Sequence, residues 1–204
     1  MNIANWVTLS RIPFLFLIVF FLYLPLRFSA TLGFVLFVLA ALTDWYDGYL
    51  ARRYGLVSAF GKLMDALSDK ILMLGLWITI LALPHPQNPG SVGGMVPRWA
   101  LFPVLLILAR EFLITGLRLI ASAKAVVLAA ENLGKIKTVA QIFSTGFFIL
   151  WYALVRDGRA FIPECVGSFV YGLAMGLFIL STYLTIDSGI RYLVKHRQLL
   201  LQAD

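Results

Sequence analysis

The sequence predicts an all-α integral membrane protein with six transmembrane helices and an N-terminal amphipathic helix in the membrane interface. Composition gives the first reason. Hydrophobic residues make up 61% of the 204 positions and charged residues only 13%, for a mean hydropathy of +0.89. A soluble domain of this size has no use for so much apolar surface. The second reason is periodic: apolar runs of roughly 20 residues, the length that crosses the hydrocarbon, recur along the whole chain. The third is charge. With the N-terminus in the cytoplasm, four cationic residues (Arg27, Arg98, Arg156 and Arg159) fall outside, and the other thirteen of the seventeen fall on or toward the cytoplasmic side. That asymmetry obeys the positive-inside rule.

Residues 1–10 mix polar and apolar side chains at helical spacing. Ile3, Trp6 and Leu9 can lie in the interface while Asn2, Asn5 and Thr8 face water or a headgroup. Arg11 follows, then an apolar run from Ile12 to Leu26. No small-x-small cleavage site follows it convincingly, so the run is expected to remain as an anchor. The spans are placed near 11–26, 30–52, 60–83, 99–122, 134–155 and 163–190. Pro25-Leu26-Arg27 separates the first two, a Pro/Gly-rich stretch over 84–97 marks a loop, and Arg156-Asp157-Gly158-Arg159 marks another. There is no internal repeat, and residues 1–204 read as a single membrane domain. Both termini are expected in the cytoplasm, with the protein in the cell (inner) membrane. The net charge of +7 is attributed to this topology and to anionic lipid or phosphate, with no nucleic-acid partner expected. The single cysteine, Cys165, excludes an intrachain disulfide and reads as a small packing residue. His85 in the outer loop and His196 in the tail read as solvated.

Four of the ten acidic residues lie in one 26-residue stretch, Asp44 to Asp69. Carboxylates beside long apolar runs are costly and usually functional. Asp44 and Asp47 are i, i+3, and Asp65 and Asp69 are i, i+4, so each pair shares one helix face. Arg52-Arg53-Tyr54-Gly55-Leu56-Val57-Ser58 can join the two helices as an antiparallel hairpin that brings the acidic faces together. Gly48, one turn after Asp44, and Gly61, one turn before Asp65, remove side chains beside the carboxylates and permit close approach. Four facing carboxylates repel unless cations sit among them. Hard oxygen ligands select Mg²⁺ or Mn²⁺, and two such ions suit phosphoryl transfer. The topology places this site on the cytoplasmic side.

A second constellation is basic. Arg110-Glu111 and Arg118 lie on the fourth span, and Lys135, Lys137 and Gln141 open the fifth. Glu111 and Arg118, a heptad apart, share a face. Arg110, Arg118 and Lys135 would project into one cytoplasmic cavity if these helices pack beside the acidic pair. Cations in such a cavity suit a phosphate group, arginine through its bidentate fork. Lys124, Lys195 and Arg197 are better read as snorkelling side chains. Asp187 and Arg191, i, i+4 on the last span, form either a structural ion pair or part of the same cavity.

The pattern D-x-x-D-G-x-x-A-R-x8-G-x-x-x-D-x-x-x-D over residues 44–69 resembles the complete signature of the CDP-alcohol phosphatidyltransferases. The segments Asn2–Arg11, Arg110–Arg118 and Gly134–Thr138 widen the likeness to most of the chain. They resemble the branch that joins CDP-diacylglycerol to glycerol 3-phosphate and releases CMP. That branch often carries proline where this chain has Ala66; proline is tolerated early in a helix, so the departure affects rigidity more than ligation. The resemblance implies that Asp44, Asp47, Asp65 and Asp69 bind the metals and that Asp69 is the general base. It further implies that Thr8, Gly48, Arg52 and Ser58 contact CDP-diacylglycerol. Arg110, Arg118, Lys135, Lys137 and Arg191 are the candidates for the acceptor's phosphate. A homodimer in membrane lipid is also implied. The acidic motif alone leaves open sister enzymes with inositol phosphate, phosphatidylglycerol, serine or an amino alcohol as acceptor. A cation transporter would want its carboxylates at mid-membrane on interrupted helices.

Overall fold

The computed structural model describes residues 3–54, 59–86, 94–123, 132–158 and 162–195. For 3–10, 45, 47–54, 59–66, 119–120, 122–123 and 132–135 it describes the backbone alone. The described residues form six long helices: α1 (Ile3–Tyr23), α2 (Ser29–Tyr54), α3 (Ala59–Ala82), α4 (Leu101–Ala123), α5 (Asn132–Asp157) and α6 (Glu164–Lys195). A single 3₁₀ turn, Arg98–Ala100, leads into α4. The expected spans and the observed helices agree to within a few residues at most ends. α1 runs through the expected interfacial stretch and the first apolar run without a break. α6 continues one turn past the expected end, carrying Asp187 and Arg191 inside the helix.

Packing links the helices in a closed circuit: α1 against α2, α2 against α5, α5 against α6, α6 against α4, α4 against α3, and α3 back against α1. The turn that would join α2 and α3 as a hairpin, residues 55–58, lies outside the described residues. Among the described residues, α1 is wedged against both and is the principal partner of each. The reason is steric and apolar. Leu15, Ile18 and Leu22 of α1 are buried, and Gly75 of α3 leaves the space that Leu15 fills: a Cβ there would stand 2.5 Å from Leu15 Cδ2. The centre of the bundle is aromatic. Trp77 of α3 lies 4.7 Å from the Phe178 ring of α6 and 5.9 Å, edge-on, from Phe148 of α5, centroid to centroid.

One end of the bundle is fastened by the last turn of α5. Arg156 donates to the carbonyl of Leu22 at 2.6 Å and to that of Leu24, satisfying the carbonyls orphaned at the end of α1. Asp157 Oδ2 accepts from the backbone N–H and the hydroxyl of Thr31, both at 2.8 Å, which caps the first turn of α2. Between those caps the chain turns through Phe28 at φ 64°. At the same end His85, expected to be solvated, is half-buried with its ring 5.5 Å from Trp151. Cys165, expected to pack, is exposed in the first turn of α6.

The outer surface is apolar. Phe16, Phe102, Phe169 and Tyr183 are each about two-thirds exposed, an arrangement suited to lipid rather than water. Three stretches are long and apolar enough to cross a membrane: Arg98–Arg118, Ile136–Asp157 and Glu164–Lys195, with mean hydropathies of 1.9, 1.6 and 1.8. Arg11–Tyr23 and Ser29–Asp44 are shorter apolar stretches among the described residues. The chain is thus an all-helical membrane protein.

Candidate active site

The site lies at the opposite end from the Arg156–Asp157 fastening, where the start of α1, the end of α2 and the start of α3 meet. Arg11 of α1 is buried, with 8% of its side chain accessible, and its guanidinium joins two helices at once. Nη2 pairs with Asp44 Oδ1 on α2, and Nη1 pairs with Asp69 Oδ1 on α3. The carboxylates themselves are open to the exterior, 37% exposed for Asp44 and 53% for Asp69. The first and last acids of the signature therefore converge on one buried cation and keep their other faces open.

Asp47 and Asp65 lie one turn inward along the motif on α2 and α3, and their side chains are outside the described residues. The same holds for the side chains of Thr8, Arg52 and Lys135, for Gly48, whose place in α2 is given by backbone alone, and for all of Ser58. Two of the four acids are thus brought together. They supply hard oxygen donors with open faces, the donor type that Mg²⁺ or Mn²⁺ takes, and among the described residues no group of three or more acids, histidines or cysteines is placed to hold a metal ion.

Beside Asp69 begins a second cluster, built on Glu111 of α4. Its carboxylate takes Lys70 Nζ of α3 at 3.0 Å on Oε2. On Oε1 it takes Lys137 Nζ of α5 and Arg110 Nη1 at 3.3 Å. Arg110 also donates to Ser188 Oγ of α6 at 3.0 Å, so four helices meet here. Gly189 makes this possible, since a Cβ there would stand 3.0 Å from Arg110 Cγ. Lys137 is buried, with only 4% of its side chain accessible. Three cations thus gather on the one Glu111 carboxylate, with Asp69 on the same cavity.

Arg118 and Arg191 stand apart from that cluster. Arg118 is exposed, its guanidinium 5.6 Å from the Tyr192 ring of α6, rather than turned to Glu111 along the shared heptad face. Arg191 is exposed and paired with Asp187 at 2.9 Å, which makes that pair a local i, i+4 ion pair. Of the five expected phosphate-binding residues, the structure gathers Arg110 and Lys137 and sets Arg118 and Arg191 along the outer side of α4 and α6.

Two residues central to this geometry, Arg11 and Lys70, carry no role in the sequence reading beyond their charge. The signal for Arg11 is its position: a lone cation opening an otherwise apolar run, in a chain whose acids need partners. Lys70 directly follows Asp69, so its side chain leaves the helix about 100° around from that of Asp69 and reaches a different neighbour.

A cavity of about 120 Å³ connects the two clusters, with Asp69, Lys70 and Glu111 at its polar end, Thr138 and Gln141 on one wall and Trp77 among its apolar residues. A larger cavity of about 720 Å³ lies at the other end of the bundle, among His85, Arg98, Trp151 and Glu164. It is remote from the acidic motif.

Comparison with known proteins identifies the family. The family model described as CDP-alcohol phosphatidyltransferase matches residues 1–186, which takes in the acidic stretch, Arg11 and the cations around Glu111 but ends before Ser188 and the Asp187–Arg191 pair. A protein of Rickettsia felis named CDP-diacylglycerol–glycerol-3-phosphate 3-phosphatidyltransferase is 35% identical over 182 residues, 89% of this chain and 92% of its own. Proteins of the same name from Bacillus subtilis and Pectobacterium atrosepticum are 34% identical over 161 residues and 30% identical over 203. The former alignment covers 73% of this chain and 77% of the relative, and the latter 98% of both. With its acidic signature intact and its helices arranged around it, the chain belongs to the CDP-alcohol phosphatidyltransferase family.

Proposed function

We propose that this protein is a phosphatidylglycerophosphate synthase, transferring the phosphatidyl group of CDP-diacylglycerol to glycerol 3-phosphate with release of CMP. The observation that carries the reading is the convergence of Asp44 and Asp69 on one guanidinium, with an electropositive, cavity-linked cluster beside Asp69. The names of the relatives support the acceptor.

In this reading Asp44, Asp47, Asp65 and Asp69 hold one or two divalent cations, which when bound offset the charge of the substrate's pyrophosphate. Thr8, Gly48, Arg52 and Ser58 hold the CDP portion. Glycerol 3-phosphate enters the cavity with its phosphate toward Lys70, Arg110 and Lys137, whose positive charges anchor it; Lys135, Arg118 and Arg191 line the approach. Anchoring one end of the acceptor places its free hydroxyl near Asp69. Asp69 takes the hydroxyl proton. The oxygen then bonds to the phosphorus next to diacylglycerol, the bond from that phosphorus to the CMP oxygen breaks, and CMP departs with the electron pair. An acceptor lacking a phosphate would lose the hold of the basic cluster. The six helices all cross the membrane, with both termini and the site in the cytoplasm, and the protein acts as a homodimer.

The test is CMP release from CDP-diacylglycerol by the purified protein in Mg²⁺ or Mn²⁺, with a panel of acceptors. Glycerol 3-phosphate should support turnover, and glycerol, serine and inositol should not. Preference for inositol phosphate or phosphatidylglycerol would move the protein to a sister activity.

A further inference from the structure

We propose that Arg11 is a resident counter-cation of the acidic site: it holds Asp44 and Asp69 together before metal arrives and competes with the divalent cation for them. The proposal rests on the metal-site reading above. Its physical basis is the position of the guanidinium. Arg11 lies on α1, the helix wedged against both α2 and α3, and its two terminal nitrogens each take one carboxylate oxygen, one from each acid-bearing helix.

Without a cation at this point two carboxylates from different helices would face each other at short range, and like charges so placed repel. A guanidinium is suited to the task because it is planar, always charged and forked, so one group can serve two acids. It is also buried, while their other faces remain open. A divalent ion therefore approaches from the exposed side and meets carboxylates already neutralised in part by Arg11. The same contact that keeps the site assembled lowers its affinity for metal, because a fixed positive charge a few ångströms away opposes the incoming ion. A residue that merely oriented the acids would act in the opposite direction: its loss would scatter the ligands and weaken metal binding.

The experiment is Mn²⁺ binding followed by electron paramagnetic resonance on purified full-length protein in detergent, with thermal melts at zero and saturating Mn²⁺. Arg11→Gln should bind Mn²⁺ about fivefold tighter or more. It should melt lower than wild type without metal, and gain more from Mn²⁺ than wild type does, as linkage requires. Arg11→Lys keeps the charge without the fork, so its affinity should fall between the two; if the Gln variant does not fold, this variant decides alone. Unchanged or weaker Mn²⁺ affinity in the variants, with wild type binding normally, overturns the role of Arg11 and leaves the metal site standing. Absence of Mn²⁺ binding by wild type, or binding unaltered in Asp44→Asn, overturns both.

Discussion

Glu111 gathers three cations from three helices, and this makes it the residue on which the basic side of the site depends. Lys137, nearly inaccessible, has its charge met there. Breaking a buried pair by removing one partner costs about 3–5 kcal/mol. Glu111→Ala should therefore lower the melting temperature in detergent more than Lys137→Met, which leaves Glu111 with Lys70 and Arg110. A reversed order would show that Lys137 is satisfied elsewhere. Arg118 belongs at the same scale but does different work. It stacks on Tyr192 at the edge of the cluster and is exposed, so Arg118→Ala should leave the fold intact. If it guides the acceptor's phosphate, the KM for glycerol 3-phosphate rises about tenfold, the size of one charged contact. An unchanged KM would remove it from that role. The sequence made the types of these residues legible, because acids and bases inside apolar runs announce themselves. Their pairings were not legible. Glu111 and Arg118 share a helix face, but Glu111 found nearer cations on α3 and α5, and Arg118 found an aromatic ring on α6. Spacing along one helix says nothing about what a neighbouring helix presents.

At the scale of elements, α1 proves to be more than an anchor. It packs against both α2 and α3 and supplies the cation between their acids. The helix ends were readable because proline, glycine and charge punctuate the chain between apolar runs. The wedge was not readable, because it depends on the small surface that Gly75 leaves for Leu15. Leu15 and Arg11 are i, i+4 on the same face of α1, so what displaces one displaces the other. Gly75→Ala sets a Cβ 2.5, 2.8 and 3.1 Å from Leu15 Cδ2, Cδ1 and Cγ, so the buried leucine must shift and some stability is lost. Gly75→Ile overfills the contact, should cost about 1–3 kcal/mol, and should depress CMP release more than the stability loss alone would. Equal activity per folded molecule in Gly75→Ile and wild type would show that α1 can shift without disturbing the acids.

The whole molecule is an inside-out bundle, with its acidic and basic clusters at one end and its Arg156–Asp157 fastening at the other. Composition alone revealed that class, since chain segments this apolar have few other solutions. The excess of Lys and Arg toward the motif end is the basis of the proposed orientation, with the site in the cytoplasm, and Cys165 offers a direct check on it. The cysteine is the chain's only one and is exposed at the start of α6, at the end remote from the site. A membrane-impermeant maleimide should label it from the outside of intact spheroplasts; labelling only after lysis would invert the topology. The central claim is that the acids converging from α2 and α3 form a divalent-cation site that performs phosphatidyl transfer. It is tested most directly by CMP release from CDP-diacylglycerol and glycerol 3-phosphate before and after chelation. Turnover should fall to background in excess EDTA and return with Mg²⁺ or Mn²⁺, whereas turnover that persists through chelation would contradict it.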